Sequence, residues 1–337
     1  MRYAIWNNKG GVGKTFLTFV FATEYARKNP DKHVVVIDMC PQANVSEILL
    51  GGNGGGADNL RSLITKQQTI GSYFGTRILA PHGKTGEETK FLVNVCKHNS
   101  NIPANVSLVA GDPLLELQVQ TINNIAAQPL PSNSWRNVHS WVIDLERAIS
   151  ATFPMGTLVL IDCNPSFSAY TEQAILAAER LVIPCSPDGS SARAISNVSK
   201  LLYGHRVPDA YAGASFHEKV EQEGMGRPKI HLVPLNRTTI YSNKPSRAFA
   251  AMREQMQVEI ADLWKADTAH ALFSNDRDNL FRDMPDAHTV AVVAAHLGMP
   301  ISELRVGPYR VNENPTQINK GPLERYRKAI EDIVDML

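Results

Sequence analysis

The chain has 337 residues, 43% of them hydrophobic and 20% charged, and 34 Lys and Arg balance 33 Asp and Glu to a net charge of +1. That length can bury a large core, and the near-neutral balance excludes nucleic-acid binding by bulk charge, leaving only a local patch open. No apolar run approaches the roughly 20 residues that cross a bilayer, and the first strand pattern begins at once, so a cytoplasmic protein without signal peptide or membrane association is expected.

Tyr3-Ala4-Ile5-Trp6 is a short apolar strand, and Asn8-Lys9-Gly10-Gly11-Val12-Gly13-Lys14-Thr15 follows it directly. From Thr15 to Lys28 the pattern is helical, with Leu17, Val20, Phe21 and Tyr25 at helical spacing and Asn29-Pro30 as the stop. A strand, a glycine turn and a helix form a phosphate cradle. Residues without Cβ let backbone amides close on oxyanions, and the helix N-terminus adds partial positive charge. Gly10, Gly11, Val12, Gly13, Lys14, Thr15 and Phe16 are the expected nucleotide-binding set, with Lys14 on the β/γ-phosphates and the Thr15 hydroxyl on Mg²⁺. The general pattern has glycine where Asn8 stands, and Lys9 is an additional lysine.

His33-Val34-Val35-Val36-Ile37 reads as a buried parallel strand that ends in Asp38-Met39-Cys40-Pro41-Gln42, completing a right-handed βαβ unit. A helix is expected over 42–50, and the glycine run at 51–56 predicts a mobile loop. Periodicity is then poor up to residue 105, although 91–95 suggests an edge or antiparallel strand. Val106 to Ala110 is a better strand, and Gly111-Asp112-Pro113 starts a helix. A single amphipathic helix is predicted to carry Trp135, Val138, Val142, Leu145 and Ile149.

The α/β rhythm then returns. Strands are expected at 157–161, 180–184 and 229–233, ending in Asp162-Cys163-Asn164-Pro165-Ser166, in Pro184, and in Pro234-Leu235-Asn236-Arg237; helices are expected at 169–178 and 190–202. The remainder reads as helical, at 246–263, 287–297 and 323–337. The four cysteines, Cys40, Cys96, Cys163 and Cys185, are widely spaced and fit buried thiols better than a metal site or disulfides. The expected fold is α/β: a doubly wound, mainly parallel sheet with helices on both faces. We expect one domain over 1–337, with an enlarged region at 51–156 and a helical C-terminal part at 240–337.

Asp38 and Asp162 each follow an apolar strand. Phosphoryl transfer needs a carboxylate near the Mg²⁺ shell and a group that orients water, because it depends on positioning and charge stabilisation. Asp162 suits the metal role and Asp38 the water-orienting role; a turn-forming aspartate at a strand end is the plain alternative for either one. From Met225 to Arg253 there are six basic residues and no acidic one. Arg237, Lys244, Arg247 and Arg253 are the candidates from this stretch for binding DNA without reading its sequence, against the alternative of an ordinary solvated surface.

With K-G-G-V-G-K-T at 9–15, D-M-C-P-Q-A at 38–43, I-D-C-N-P-S at 161–166, V-I-P-C-S-P-D at 182–188 and P-L-N-R at 234–237, the sequence resembles the deviant-Walker ATPases of the ParA/MinD group. The resemblance implies ATP and Mg²⁺ as cofactors and an ATP-sandwich homodimer in which Lys9 reaches the phosphates of the partner subunit. Catalysis would then rest on Lys9, Lys14 and Asp38, with Thr15 and Asp162 at the metal and Asn236 reading adenine. Where this family usually has a second aspartate in D-x-D-P-Q, Cys40 stands here, leaving Asp38 as the one carboxylate of that segment. The acidic last turns, with Glu331, Asp332 and Asp335, disfavour a membrane-binding tail. The expected function is a dimerisation switch on nonspecific DNA, associated with the nucleoid. It would segregate plasmid or chromosomal DNA with a ParB-like or other adaptor that stimulates slow hydrolysis. The alternatives are a positioner of protein cargo on the nucleoid, and an ATP-using ligase or kinase on the same scaffold.

Overall fold

The computed structural model describes residues 1–186, 191–208, 210, 215–238, 240–241, 244–245, 247–267 and 271–337, with side chains at 191–192 and 237–249 outside that description. Among these residues eight strands make one sheet. They are β1 (Arg2–Ile5), β2 (His33–Met39), β3 (Val93–Asn94), β4 (Val106–Val109), β5 (Thr157–Cys163), β6 (Arg180–Val182), β7 (Lys229–Thr238) and, after a ribbon of β8 (Ile240–Tyr241) and β9 (Lys244–Pro245), β10 (Phe281–Pro285). Their order is β10-β7-β6-β1-β5-β2-β4-β3, and every pairing is parallel except β3 with β4 at the edge. A separate hairpin joins β11 (Gly307–Val311) to β12 (Asn314–Ile318).

Alternation along the strands divides the core into two layers, because successive side chains leave a strand on opposite faces. Ala4, Val35, Ile37, Val159, Ile161 and Leu181 face one layer; Tyr3, Ile5, Val34, Val36, Leu158 and Leu160 face the other. The helices are α1 (Lys14–Lys28), α2 (Asn44–Leu49), α3 (Gly56–Thr65), α4 (Ile70–Leu79), α5 (Leu114–Ala126), α6 (Ser134–His139), α7 (Trp141–Ser150), α8 (Ala169–Leu176), α9 (Ser191–Tyr203), α10 (Phe216–Gln222), α11 (Arg247–Ala266), α12 (His288–Leu297) and α13 (Lys320–Val334). Helices α4 to α9 and α11 cover the first face, and α1, α2, α3, α12 and α13 the second. Helices on both faces of a mainly parallel sheet are the doubly wound arrangement expected from the sequence.

Several expectations need correction. The glycine run at 51–56 is packed rather than mobile. Gly52 and Gly56 are buried, and a Cβ on Gly52 would lie 2.4 Å from the Ala295 carbonyl oxygen and 2.5 Å from that of His296. The glycines let two backbones touch, which composition alone reads as looseness. The poorly periodic stretch before residue 105 contains α3 and α4. Helix α4 is fixed by Arg77, buried against Trp141 and paired with Asp144 at 3.0 Å, while the Tyr73 hydroxyl donates to the Trp141 carbonyl at 2.6 Å. The single helix expected across 135–149 breaks at Ser140, whose hydroxyl donates to the Arg136 carbonyl at 2.7 Å. Such back-bonding bends a helix.

The C-terminal part is less helical than expected. Strand β10 joins the main sheet beside β7, with Phe281 and Met284 buried on either side of Arg282 and Asp283. An edge strand with charged neighbours lacks the continuous apolar run of a central strand. The β11–β12 hairpin turns at Asn312 and Glu313, both at positive φ, the geometry of a two-residue primed turn. Helix α13 packs as expected, with Leu323, Tyr326, Ile330, Ile333 and Val334 buried. Of the cysteines, Cys163 and Cys185 are buried thiols, whereas Cys40 and Cys96 are only partly buried, and none of the four is in a disulfide.

Gly52→Ala should cost about 1–3 kcal/mol of stability, because the added methyl meets the backbone of Ala295, His296 and Gly298 and the residue sits at φ +56°. Gly54→Ala, with open space at its Cβ, is the control. Urea unfolding of the two variants measures the difference, and equal stabilities would return the segment to a loose loop.

Candidate functional site

The site lies beyond the carboxyl ends of β1, β2 and β5, where the chain turns from strand into loop. The glycine loop bridges β1 and α1. Gly11 and Gly13 have φ of +73° and +93°, and a Cβ on Gly13 would stand 2.0 Å from the Asn236 amide nitrogen. That amide donates to the Val12 carbonyl at 3.1 Å, so Asn236 lies under the loop and shapes it. Val12 is buried, whereas Gly10 and Gly11 are exposed with nothing near the position of a Cβ. The Phe16 ring stacks on Tyr326, which leaves its amide in the first turn of α1 as the group that could meet an anion.

Lys14 is 6% exposed, and its ammonium donates to the carbonyls of Asn7 at 3.1 Å and Lys9 at 2.8 Å. Burial lowers its pKa, and the nearby Asp162 opposes that shift. The Lys9 ammonium donates to the Ser186 hydroxyl at 3.2 Å, across the carboxyl end of β6. Asn7, which the sequence reading missed, is fully buried and latches the loop to β6: its amide donates to the Pro184 carbonyl at 2.7 Å and its oxygen accepts from Lys9 N at 3.0 Å. Its position, polar and directly after an apolar strand, is the signal that marked Asp38.

Asp38 and Asp162 are direct register partners on β2 and β5. Asp38 accepts from the backbone of Cys40 at 3.0 Å and from both the amide and hydroxyl of Ser46, at 3.1 and 2.6 Å. Burial nevertheless pushes its pKa up to about 6. Both oxygens of Asp162 are buried without a hydrogen-bond partner among the described residues. Burial and the Asp38 charge push it up to about 8, against the lowering effects of Thr15, Lys14 and Thr18. A buried carboxylate with unmet lone pairs beside a hydroxyl and an ammonium suits a hard cation, and Mg²⁺ is commonly held by one or two protein oxygens together with phosphate. Burial and Asp38 push the Cys40 thiol up to about 12, so it stays neutral beside the two carboxyls.

The segment after β5 is tied to β1, for Trp6 Nε1 donates to the Asn164 carbonyl at 3.0 Å. Asn164 also accepts from Ser166 N, closing a tight turn. The basic candidates are not brought together among the described side chains. Arg253 pairs with Asp283 at 2.7 Å, and the side chains of Arg237, Lys244 and Arg247 lie outside the described residues.

A family model described as an AAA domain matches residues 2–204. An uncharacterized protein of Methanocaldococcus jannaschii is 23% identical over 184 residues, 55% of this chain, and the match spans only 58% of that relative's length. Among solved structures, McdA of Cyanothece superposes with a TM-score of 0.60 at 15% identity, over 98% of both chains. A putative plasmid partition protein of Borrelia burgdorferi bound to AMPPNP gives a TM-score of 0.53 at 15% identity, over 99% of this chain and 98% of that one. At such identities the likeness is one of fold.

The raised carboxyls give stability a sign with pH. Between the ordinary carboxylate range and about 8 the folded chain keeps a proton on Asp162 that the unfolded chain releases. This contribution to stability is therefore complete at low pH and lost as pH rises through that window. Asp162→Asn removes the titration, so it should melt above the parent at pH 8, with the gap closing toward pH 4. Melting curves recorded without nucleotide or Mg²⁺ measure it; a gap independent of pH would contradict the raised carboxyl.

Proposed function

Because the chain belongs to the AAA domain family and has the ParA/MinD-type P-loop NTPase fold, we propose that it is an ATP-dependent dimerisation switch that binds DNA without sequence preference. The observation that carries this reading is the side-by-side placement of Asp38 and Asp162 at the ends of β2 and β5, next to the glycine loop. The whole chain, 1–337, works as one ATPase unit. Loop amides from Gly10 to Thr15 and the amide of Phe16 take the phosphates of ATP. Thr15 and Asp162 hold Mg²⁺, which when bound neutralises charge on those phosphates. Lys14 exchanges its loop carbonyls for phosphate oxygens. Asp38, fixed by Ser46 and Cys40, orients the attacking water. Asn236 supports the loop from below, and an adenine contact would come from its segment.

Lys9 is the residue that makes the reaction bimolecular. In the dimer it leaves Ser186 and reaches the nucleotide of the partner subunit, so that hydrolysis and dissociation are one event. Slow hydrolysis stimulated by a ParB-like or other adaptor then times release from the nucleoid in the cytoplasm, and the cargo is plasmid or chromosomal DNA. Support for DNA binding is compositional: six basic and no acidic residues from Met225 to Arg253, including Arg237, Lys244, Arg247 and Arg253. The pairing of Arg253 with Asp283 leaves the other three as the principal candidates for phosphate contacts.

Co-sedimentation with DNA under ATP, ADP and no nucleotide is the direct test. Retention should require ATP, decline steeply with salt, and be lost when Lys244 and Arg247 are neutralised. Retention equal in all three conditions would reject the switch. Substitutions separate the steps: Lys14→Ala should abolish nucleotide binding, and Asp38→Ala should bind ATP and dimerise but lose turnover by about a hundredfold or more. Lys9→Ala should bind ATP and remain monomeric by light scattering. An Asp38→Ala chain that hydrolyses at the parental rate would remove Asp38 from the mechanism.

A further inference from the structure

We propose that Ser46 is the positioning residue that sets the Asp38 carboxylate for hydrolysis and joins it to the Gly111 backbone, an inference that rests on reading the chain as an ATPase. Ser46 lies in the short helix α2, eight residues beyond Asp38, and is fully buried. One oxygen of Asp38, Oδ2, receives both of its hydrogen bonds from this residue: the amide at 3.1 Å and the hydroxyl at 2.6 Å. The other oxygen receives the Cys40 amide at 3.0 Å.

The direction of the hydroxyl proton is fixed by its second neighbour. Gly111 N donates to Ser46 Oγ at 2.8 Å, which uses that oxygen as an acceptor and leaves its single proton for Asp38. The chain Gly111 N–H, Ser46 O–H, Asp38 carboxylate therefore runs one way, and each bond polarises the next. The approach needs bare backbone on the far side, since a Cβ on Gly111 would stand 2.9 Å from Asp38 Cγ and 2.8 Å from Ala43 Cβ. Ala43 enters α2 in a left-handed conformation at φ 49°, which is uncommon for a residue with a side chain. A strained entry that brings one residue's amide and hydroxyl onto the same oxygen belongs to a site that is over-determined.

The far end of the relay is equally fixed. Beyond Gly111, Asp112 is 1% exposed, accepts from Leu114 N at 2.9 Å and is hydrogen bonded by the Thr69 hydroxyl; Ile70 N donates to the Ala110 carbonyl at 2.8 Å. The carboxylate that orients water is thus aimed by its own segment, by the turn after β4 and, behind that turn, by the start of α4. Ser46 is the atom-level junction of the first two. A group held this closely supplies orientation rather than affinity, and misplacement by about 1 Å can cost about a hundredfold in rate.

Ser46→Ala and Ser46→Cys remove the strong donor, the second without opening a cavity, and Ser46→Thr keeps it. Steady-state ATP turnover, affinity for a fluorescent ATP analogue and the melting temperature are read for each. The expected result is a fall in kcat of about ten- to a hundredfold for Ala and Cys with analogue affinity within about threefold, and near-parental turnover for Thr. Gly111→Ala, whose methyl would crowd the same carboxylate, should show the same split between kcat and affinity. Parental kcat in the Ala and Cys variants, or parallel loss of affinity, turnover and melting temperature in all three Ser46 variants, would overturn the positioning role. A parent chain that neither binds nor hydrolyses ATP would instead remove the reading beneath it, and this proposal with it.

Discussion

Asp38 and Asp162 are both buried, and they face each other across a pair of hydrogen-bonded strands. Burial disfavours the charge on each of them, and for Asp162 the Asp38 charge adds to it; their raised pKa values follow directly. The surrounding structure answers the two carboxylates differently. Asp38 is given three donors, whereas Asp162 is given none among the described residues and keeps its lone pairs for something else. That asymmetry separates a carboxylate held by three donors from one whose lone pairs are unmet, and both stand beside the glycine loop.

The arrangement depends on sheet order. Strand β5 enters between β1 and β2, so the turn after β5 lies beside both the glycine loop and the turn after β2. Parallel strands hold that alignment through two apolar layers, and latches made by single side chains finish it. Asn7 ties the loop to β6, Trp6 ties β1 to the turn at Asn164, and Asn236 fills the space left by the missing Cβ of Gly13. Each of these groups is buried and hydrogen bonded, as polar groups withdrawn from water must be.

The region from 51 to 156 is part of this support, for its helices cover both faces of the sheet. Helix α3 joins the layer of α1 and α13, while α4 to α7 build the opposite one. Much of it was illegible in the sequence because its packing does not use periodic apolar faces alone. Gly52 packs through the absence of a side chain, and Arg77 is buried beneath an aromatic ring with its charge met by Asp144. Strand β10 was overlooked for a similar reason: its edge position lets Arg282 and Asp283 interrupt the apolar run that identifies interior strands.

The sequence by itself determined the phosphate loop, the βαβ unit, the parallel character of the sheet and the two aspartates at strand ends. These are local properties: apolar runs report burial, glycines report special backbone, and a carboxylate at a strand's carboxyl end keeps its place in whatever sheet forms. Tertiary structure alone decided which strand ends become neighbours, and hence that Asp38 and Asp162 form a pair rather than two isolated turns. It also decided the partners of each polar group, turning Asn236 under the loop, Lys9 onto Ser186 and Ser46 onto Asp38. Such contacts join residues up to 224 positions apart. Hydrogen bonds depend on distance and angle in space, and neither is written in the order of the chain.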